Sequence, residues 1–395
     1  MKILHVNYYD TRGGAAKATY RLHRGLLDSG CESIMLVAEK KMNDDSVIPG
    51  FSAQQLHRLH IKQKIEAALT RLPRIRHNFP HSLNVFDSGL VEKINFIKPD
   101  IVNLHWINGC MLSIKELEKI EAPIVWTLHD AWPYCGAEHH HVHEDTRYKD
   151  GYDRSSKFNI NRYIWQQKFE HWSDLNFHIV TPSSWLEKEA TESRIMSSKA
   201  VHLIHNGLDA NVFSPSGSKK KIDKKVIAFG AFDVNDWNKG GTELREALEI
   251  FRDKYKSEFE LLLIGNGKFD SQFKVKSTGF INSDVALAEA YSCADVFVLA
   301  SKYDNLPNML VEASACGVPL VGFKTGGIPD IIKNKHNGYL AKVFDCEDFA
   351  RGLNYVLDDK NNTQLGENAR KFALEKFNIQ NVSKQYISLY QQILT

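Results

Sequence analysis

Short apolar runs punctuate the first half of the chain at 2–7, 33–38, 100–105, 124–128 and 177–182, separated by helical or polar stretches. Runs of this length, bounded by polar or glycine-bearing segments, predict strands buried on both faces. Residues 15–29 place Ala15, Ala18, Leu22 and Leu26 at helical spacing, and Gly30 stops that helix. The alternation predicts a parallel sheet covered by helices on both faces. A second series at 225–230, 259–265, 295–300 and 319–323 predicts a second domain of the same kind. Between the two series, Ser214-Pro215-Ser216-Gly217-Ser218-Lys219-Lys220-Lys221 is turn-rich and charged and reads as the linker. The expected fold class is α/β: two Rossmann-like domains at 1–213 and 214–378, with parallel sheets facing an interdomain cleft, then a helical segment at 379–395.

The stretch with the most chemistry is 301–317, SKYDNLPNMLVEASACG. It follows the strand candidate at 295–300, and residues 308–316 read as a helix that Gly317 ends. Asp304 then lies on a strand-to-helix loop and Glu312 within the helix. A helix N-terminus attracts phosphate, and a carboxylate can accept two hydrogen bonds from a ribose diol. The spacing of the two acids decides nothing alone, because 48 acids in 395 residues give about six such pairs by chance.

The flanking residues carry the inference. Asp304-Asn305-Leu306-Pro307-Asn308 and Glu312-Ala313, followed by Cys316-Gly317-Val318-Pro319, resemble the donor-site motif of the family 4 glycosyltransferases, which has two Glu separated by seven residues. The segment Val201 to Asp209, with Asn206-Gly207-Leu208-Asp209 followed by Phe213 and Pro215, is similar to the family's N-G-V-D block. Leu261 to Gly267, Gly326-Gly327-Ile328-Pro329-Asp330 and Asn337-Gly338-Tyr339-Leu340 resemble further blocks in the family's order, so the likeness runs from Met1 to about Leu340. It implies a retaining enzyme of the GT-B fold, with acceptor bound by the first domain and nucleotide sugar by the second. It also implies that the last helix crosses back onto the first domain.

The resemblance assigns roles that the residues alone leave open. Gly13-Gly14 between a strand and a helix is by itself a turn; within Thr11-Arg12-Gly13-Gly14-Ala15-Ala16 it resembles the family's first loop, where backbone N–H groups approach the donor. It is not the G-x-G-x-x-G of nicotinamide cofactor binding. Lys239, in Trp237-Asn238-Lys239-Gly240-Gly241, falls on the family's diphosphate-binding lysine, while Ala231 stands where the family has arginine. A fixed cation there stabilises the charge developing on the leaving diphosphate. Glu312 is expected on the ribose diol, Asp304 on sugar hydroxyls, and Asn305, Leu306, Pro307 and Asn308 along sugar or phosphate. His129, at the end of the run 124–128, could be a core imidazole; the resemblance makes it a substrate-positioning residue bordering donor sugar and acceptor. It is not expected to be a general base, since the leaving phosphate takes that part in a retaining enzyme. Trp132 and His139 fall on the acceptor side, with Trp132-Pro133 resembling a subgroup that makes surface polysaccharides.

Cys135, His139, His140, His141, His143 and Glu144 are dense in metal-ligand types, but their spacing matches no regular zinc site. A polar acceptor-side loop is the preferred reading, and no metal or other cofactor is expected. The six cysteines are scattered without a C-x-x-C pair, which fits a reduced, cytoplasmic setting. Net charge is +2 and charged residues are 25%, too balanced for a nucleic-acid partner. No signal-peptide pattern or membrane-spanning run is present. Residues 55–77, QLHRLHIKQKIEAALTRLPRIRH, set Leu56, Leu59, Ile65, Leu69 and Leu72 among six basic residues and one acid, Glu66. Such a helix either packs as an ordinary surface helix or lies peripherally on an anionic membrane, with Pro73 ending it near Leu72. The expected activity is transfer of a sugar from a nucleoside-diphosphate sugar to a glycan or polyprenyl-linked acceptor in bacterial surface-polysaccharide synthesis. A nucleotide-sugar epimerase of the same fold and a non-catalytic glycan-binding protein are the alternatives.

Overall fold

Strand β1 (Lys2–Tyr9) is buried at every position but its ends, the pattern of a strand covered on both faces. The computed structural model describes residues 1–70, 80–141, 145–152, 159–216, 224–233, 236–269 and 272–395. They form two units, one of 1–204 with 383–395 and the other of 205–382. In the first, β2 (Glu32–Glu39), β3 (Val47–Pro49), β4 (Ile101–Leu104), β5 (Ile124–Thr127), β6 (Phe177–Thr181) and β7 (Ala200–Leu203) join β1 in one sheet of order β3-β2-β1-β4-β5-β6-β7. All six pairings are parallel. The helix Gly14–Asp28 buries Ala18, Leu22 and Leu26. The C-terminal helix Ile379–Leu394 contributes two buried tyrosines to this unit: Tyr386 is 3.1 Å from the Thr127 hydroxyl and Tyr390 accepts from Asn103 at 2.8 Å.

The second unit repeats the arrangement with β8 (Lys225–Asp233), β9 (Phe259–Asn266), β10 (Val275–Ser277), β11 (Val296–Leu299), β12 (Leu320–Phe323) and β13 (Gly338–Ala341), in the order β10-β9-β8-β11-β12-β13, again all parallel. Alternate residues serve opposite faces, as the two-residue period of a strand requires. Ile227, Phe229, Val296 and Val298 enter one apolar cluster; Val226, Ala228, Phe297 and Leu299 enter the other. Full burial of each large apolar side chain contributes about 1.5–3 kcal/mol, which is why 226–229 and 296–299 carry no polar positions. Each sheet reverses its strand order once, at β1/β4 and at β8/β11. Ligands of open α/β sheets bind outside the carboxyl ends of the strands at such a reversal.

The basic segment at 55–77 is divided by the structure. The helix Ala53–Thr70 buries Leu59 and Glu66 and packs Leu56 partly, while Ile61, Ile65 and Leu69 are exposed on its other side at 46%, 45% and 38%. Glu66, the one acid, is not a solvated interruption: it accepts the backbone N–H groups of Leu83 and Val85, both at 3.1 Å. Residues 71–79, with Leu72, Pro73 and three of the arginines, lie outside the described residues, as do 217–223 of the linker. Among the described residues no helix is long and apolar enough to cross a membrane.

Candidate functional site

In the second unit three loops meet beyond the strand-order reversal. After β8 the chain makes a short 3-10 turn, Trp237–Lys239, started by Asp236, whose carboxylate accepts the Asn238 N–H at 2.9 Å. Asn238 fastens this turn to the loop after β11: its side-chain amide donates to the Tyr303 carbonyl at 2.5 Å and its carbonyl accepts the Lys302 N–H at 2.8 Å. Gly240 then turns left-handed, at φ 67°, and starts the helix Gly241–Tyr255. A Cβ at that position would stand 1.9 Å from the Ala300 carbonyl oxygen, so only glycine brings the two loops this close. The third loop follows β12, where Gly326 at φ 50° passes so near Asp304 that a Cβ would lie 2.1 Å from its carbonyl oxygen. That oxygen accepts the Gly327 N–H at 3.0 Å.

This scaffold sets Lys239 Nζ 2.9 Å from Asp304 Oδ2, with the side chains 24% and 20% exposed. Burial pulls the Lys239 pKa down, but the Asp304 carboxylate beside it, aided by Asp236, outweighs that and leaves it above the ordinary lysine value. Lys239 is therefore a cation at neutral pH. Asp304 is followed by half-buried Asn305, buried Leu306 and Pro307, then the helix Asn308–Ala315, whose N-terminus no side chain caps. Asn206, from the N-G-L-D segment, donates to the Asn308 side-chain oxygen at 3.3 Å. Glu312 is on the fifth helical position, 2% exposed, and its Oε2 accepts the buried Tyr291 hydroxyl at 2.8 Å. Ala231 is buried in β8 and brings no charge to the place of the family's arginine.

In the first unit, Gly13 starts the helix Gly14–Asp28 at φ 90°, with nothing within 4 Å of where a Cβ would stand and no side-chain cap. It follows β1, one of the two strands at the reversal. His129 lies past β5, half-buried, with Nε2 3.1 Å from His105 Nδ1. Burial lowers its pKa to about 4, against the opposing pull of Asp130. Trp132 is a core residue: its ring packs against Trp126 and Trp172 and its Nε1 donates to the Ser82 carbonyl at 2.8 Å. His139 is likewise enclosed, with Nδ1 2.7 Å from Asp130 Oδ2, Nε2 2.8 Å from the Ser82 hydroxyl, and its ring stacked 5.7 Å from Trp106. Asp130 holds the group together, accepting also from Trp106 Nε1 at 3.0 Å and the Trp132 N–H at 3.0 Å. Burial raises its pKa, and His139 foremost among its neighbours brings it below the usual value.

The ligand-type residues of this loop disperse to different partners. His141 pairs with Glu189 at 3.0 Å, and the buried Cys135 thiol is pushed far above its usual range by burial and then by Glu138. His143 and Glu144 lie outside the described residues, and among those described no three potential ligands converge. Sequence reading missed Lys168, which is fully buried and donates to the carbonyls of Trp132, Cys135 (3.2 Å) and Gly136 (2.6 Å) while its ammonium sits 3.7 Å over the Trp132 ring. Burial lowers its pKa to about 7, opposed by Cys135, Glu138 and Asp130. A signal existed: Ile164, Lys168 and Trp172 share one helical face, so a lysine interrupts an otherwise apolar stripe.

A family model for "Glycosyltransferase Family 4" matches residues 12–212, half of the chain, and one for "Glycosyl transferases group 1" matches 214–372. The N-acetyl-alpha-D-glucosaminyl L-malate synthase of Bacillus anthracis is 32% identical over 116 residues, 29% of this chain and 30% of that protein. The N,N'-diacetylbacillosaminyl-diphospho-undecaprenol alpha-1,3-N-acetylgalactosaminyltransferase of Campylobacter jejuni is 28% identical over 182 residues, 44% and 46% of the two chains. The chain thus spans less than half the length of these two relatives. In fold it is similar to Anabaena Alr3699/HepE solved with UDP and glucose, at TM-score 0.65 and 16% identity with 99% of each chain covered. It is also similar to TarM, at TM-score 0.66 and 14% identity with the same coverage. Two parallel-sheet Rossmann-like units with these neighbours are the α/β class expected for GT-B. The match over half its length identifies the chain as a member of glycosyltransferase family 4.

Proposed function

We propose that this protein is a retaining glycosyltransferase that moves a sugar from a nucleoside-diphosphate sugar to a glycan acceptor. The observation that carries the reading is the Lys239–Asp304 pair, held beyond the β8/β11 reversal beside the N-terminus of Asn308–Ala315. A half-buried cation and a helix N-terminus suit a diphosphate, the first as a fixed charge and the second through its dipole. Donor binding exchanges partners: Lys239 turns from Asp304 to the diphosphate, and Asp304 is released to accept a sugar hydroxyl. Glu312 serves the ribose diol, with the Tyr291 hydroxyl fixing the orientation of its carboxylate before the nucleotide arrives. Gly13 and Gly14 are assigned to donor binding, and His129 to positioning the sugar, by their likeness to the family's corresponding blocks. Trp132 and His139 act on the acceptor side by shaping the loop that Asp130 and Lys168 hold.

The acceptor is proposed to be lipid-linked and part of a surface polysaccharide. The name of the Campylobacter jejuni relative gives a diphospho-undecaprenol acceptor, and that of an Escherichia coli relative, 24% identical over 196 residues, gives another. Peripheral membrane attachment through 55–77 fits this acceptor, since Ile61, Ile65 and Leu69 face outward on a helix that also bears Arg58, Lys62 and Lys64.

A thermal-shift screen of nucleoside diphosphates and their sugars tests the reading, with UDP-sugars first because of the ligands in the Anabaena structures. A donor at a hundred times its Kd adds about 2.7 kcal/mol of stability. The best donor is then incubated with a lipid-linked acceptor, and the anomeric configuration of the product is read by NMR. Retention supports the proposal. Epimerised or hydrolysed donor with no dependence on acceptor replaces it with the epimerase reading, and no stabilisation by any nucleotide sugar sinks it.

A further inference from the structure

Three imidazoles form a row through the first unit, from the middle of its sheet to the carboxyl edge. His5 is fully buried in β1, and its Nδ1 is 3.0 Å from His105 Nε2. His105, the first residue past β4, puts its other nitrogen, Nδ1, 3.1 Å from His129 Nε2. The rings meet end to end, with centroids 5.3 Å and 5.4 Å apart and planes 36° and 25° from parallel. The far end of the row, His5 Nε2, is buried with no hydrogen-bond partner. His23 approaches His5 edge-on at 6.0 Å, and Asp130 follows His129 in the chain, its carboxylate engaged by His139, Trp106 and Trp132.

Proton counting makes the row directional. A neutral imidazole carries one N–H, and each of the two contacts needs one donor and one acceptor. Two arrangements satisfy both contacts. In one, all three rings carry the proton on Nδ1: His5 donates to His105, His105 donates to His129, and His5 Nε2 is a bare acceptor in the core. In the other, all three carry it on Nε2, and His5 leaves an N–H buried without an acceptor. His5 Nε2 has no partner to accept a proton from it, which favours the first arrangement, where no N–H is left buried without an acceptor. A charged ring is disfavoured anywhere in the row: burial, then His23, holds His5 well below the ordinary histidine range, and burial, then His5 and His129, does the same to His105.

We infer that His105 and His5 are positioning residues that lock His129 in its Nδ1–H form, so that His129 offers a hydrogen-bond donor, and not a base, at the carboxyl edge of the sheet. This rests on the reading of His129 as a substrate-positioning residue. The chemical class it fits is an oxygen acceptor on the substrate, a sugar hydroxyl or a phosphate oxygen, because Nδ1–H can only donate.

The test starts with the unaltered chain labelled with 15N in histidine. Long-range 1H–15N correlation at pH 7 separates protonated from bare ring nitrogens. All three rings should show Nδ1 protonated; His129 protonated on Nε2, or exchanging between the two forms, overturns the inference. His105→Leu cuts both contacts and should return His129 to the mixed population of a free ring. His105→Gln, whose amide can donate toward His129 while its oxygen accepts from His5, should keep the fixed form. With the donor found by thermal shift, His105→Leu should lower kcat about ten-fold with the donor KM nearly unchanged, and His105→Gln should recover most of the loss. A fixed tautomer that His105→Leu leaves in place also overturns the inference. If the tautomer behaves as stated but His129→Ala turns over normally, the locking stands and the substrate role of His129 falls.

Discussion

Replacing Gly240 by alanine tests how the Lys239 loop is held. The backbone there is left-handed at φ 67°, which costs a residue with a Cβ about 1–2 kcal/mol. The new methyl would also meet the Ala300 carbonyl oxygen at 1.9 Å and that carbonyl carbon at 2.7 Å, both backbone atoms that no rotamer change can move aside. Restoring ordinary contact at 3.4 Å demands a shift of about 1.5 Å between the two loops, and forcing an extra methyl into a packed site costs about 1–3 kcal/mol. The sum, about 2–5 kcal/mol, corresponds to a fall in Tm of about 4–20 °C for a unit of this size. The same shift would open the 2.9 Å contact of Lys239 with Asp304 and the 2.8 Å bond from Lys302 N–H to the Asn238 carbonyl. Calorimetry and nucleoside-diphosphate titration on Gly240→Ala therefore should show both a lower Tm and weaker binding. An alanine variant with a Tm within a degree of the parent and unchanged affinity would refute the reasoning, since it would mean the loop tolerates displacement.

Lys239→Ala should weaken nucleoside-diphosphate binding by about 1.5–3 kcal/mol, whereas Asp304→Asn should leave that affinity nearly unchanged and reduce turnover with the nucleotide sugar; equal losses in both titrations would contradict the division of roles. His23 and His129 have folded pKa values lowered to about 4, His23 by burial and then Arg24 against the pull of Asp44. Below pH 6.5 the unfolded chain takes up protons that the folded chain refuses, so stability should fall between pH 6.5 and 4 by about 3 kcal/mol for each ring. Urea midpoints at pH 7 and pH 4.5 measure this, His129→Gln should shrink the difference, and equal midpoints would count against buried neutral rings. Replacing Ile61, Ile65 and Leu69 by Gln should abolish sedimentation with anionic vesicles at low salt while sparing the fold, because none of the three is buried; unaltered sedimentation would remove this helix from any membrane contact.

The apolar runs marked nine strands, and every one of them has a hydrogen-bonded neighbour on both sides. The four strands that hydrophobic patterning did not mark, β3, β7, β10 and β13, are the four sheet edges. An edge strand has a ladder on one side only and less surface to bury: β7 has no buried residue and β10 exposes Lys276 and Ser277. Nothing in β7 or β10 asks for an apolar run, and each becomes a strand because a neighbour supplies the hydrogen bonds; β13 buries three of its four residues, but a four-residue run that opens on glycine does not stand out. The helix 53–70 shows the same limit, since its apolar residues have one-dimensional spacing but face both the core and the solvent.

What the sequence by itself determined was the class of each central element, because burial on two faces and turn chemistry are local demands written in residue type; Lys239, Asp304 and Glu312 stood out only through their resemblance to family motifs. What only the tertiary structure decided was which distant groups meet. Lys239 and Asp304 are 65 positions apart and touch because β8 and β11 are neighbours across the strand-order reversal. His5, His105 and His129, separated by 100 and then 24 positions, line up because β1, β4 and β5 lie side by side. Lys168 is tolerated in a core only where three carbonyls converge on it. Each of these depends on ladder pairing and loop closure between segments far apart in the chain, and local residue pattern carries no record of that pairing.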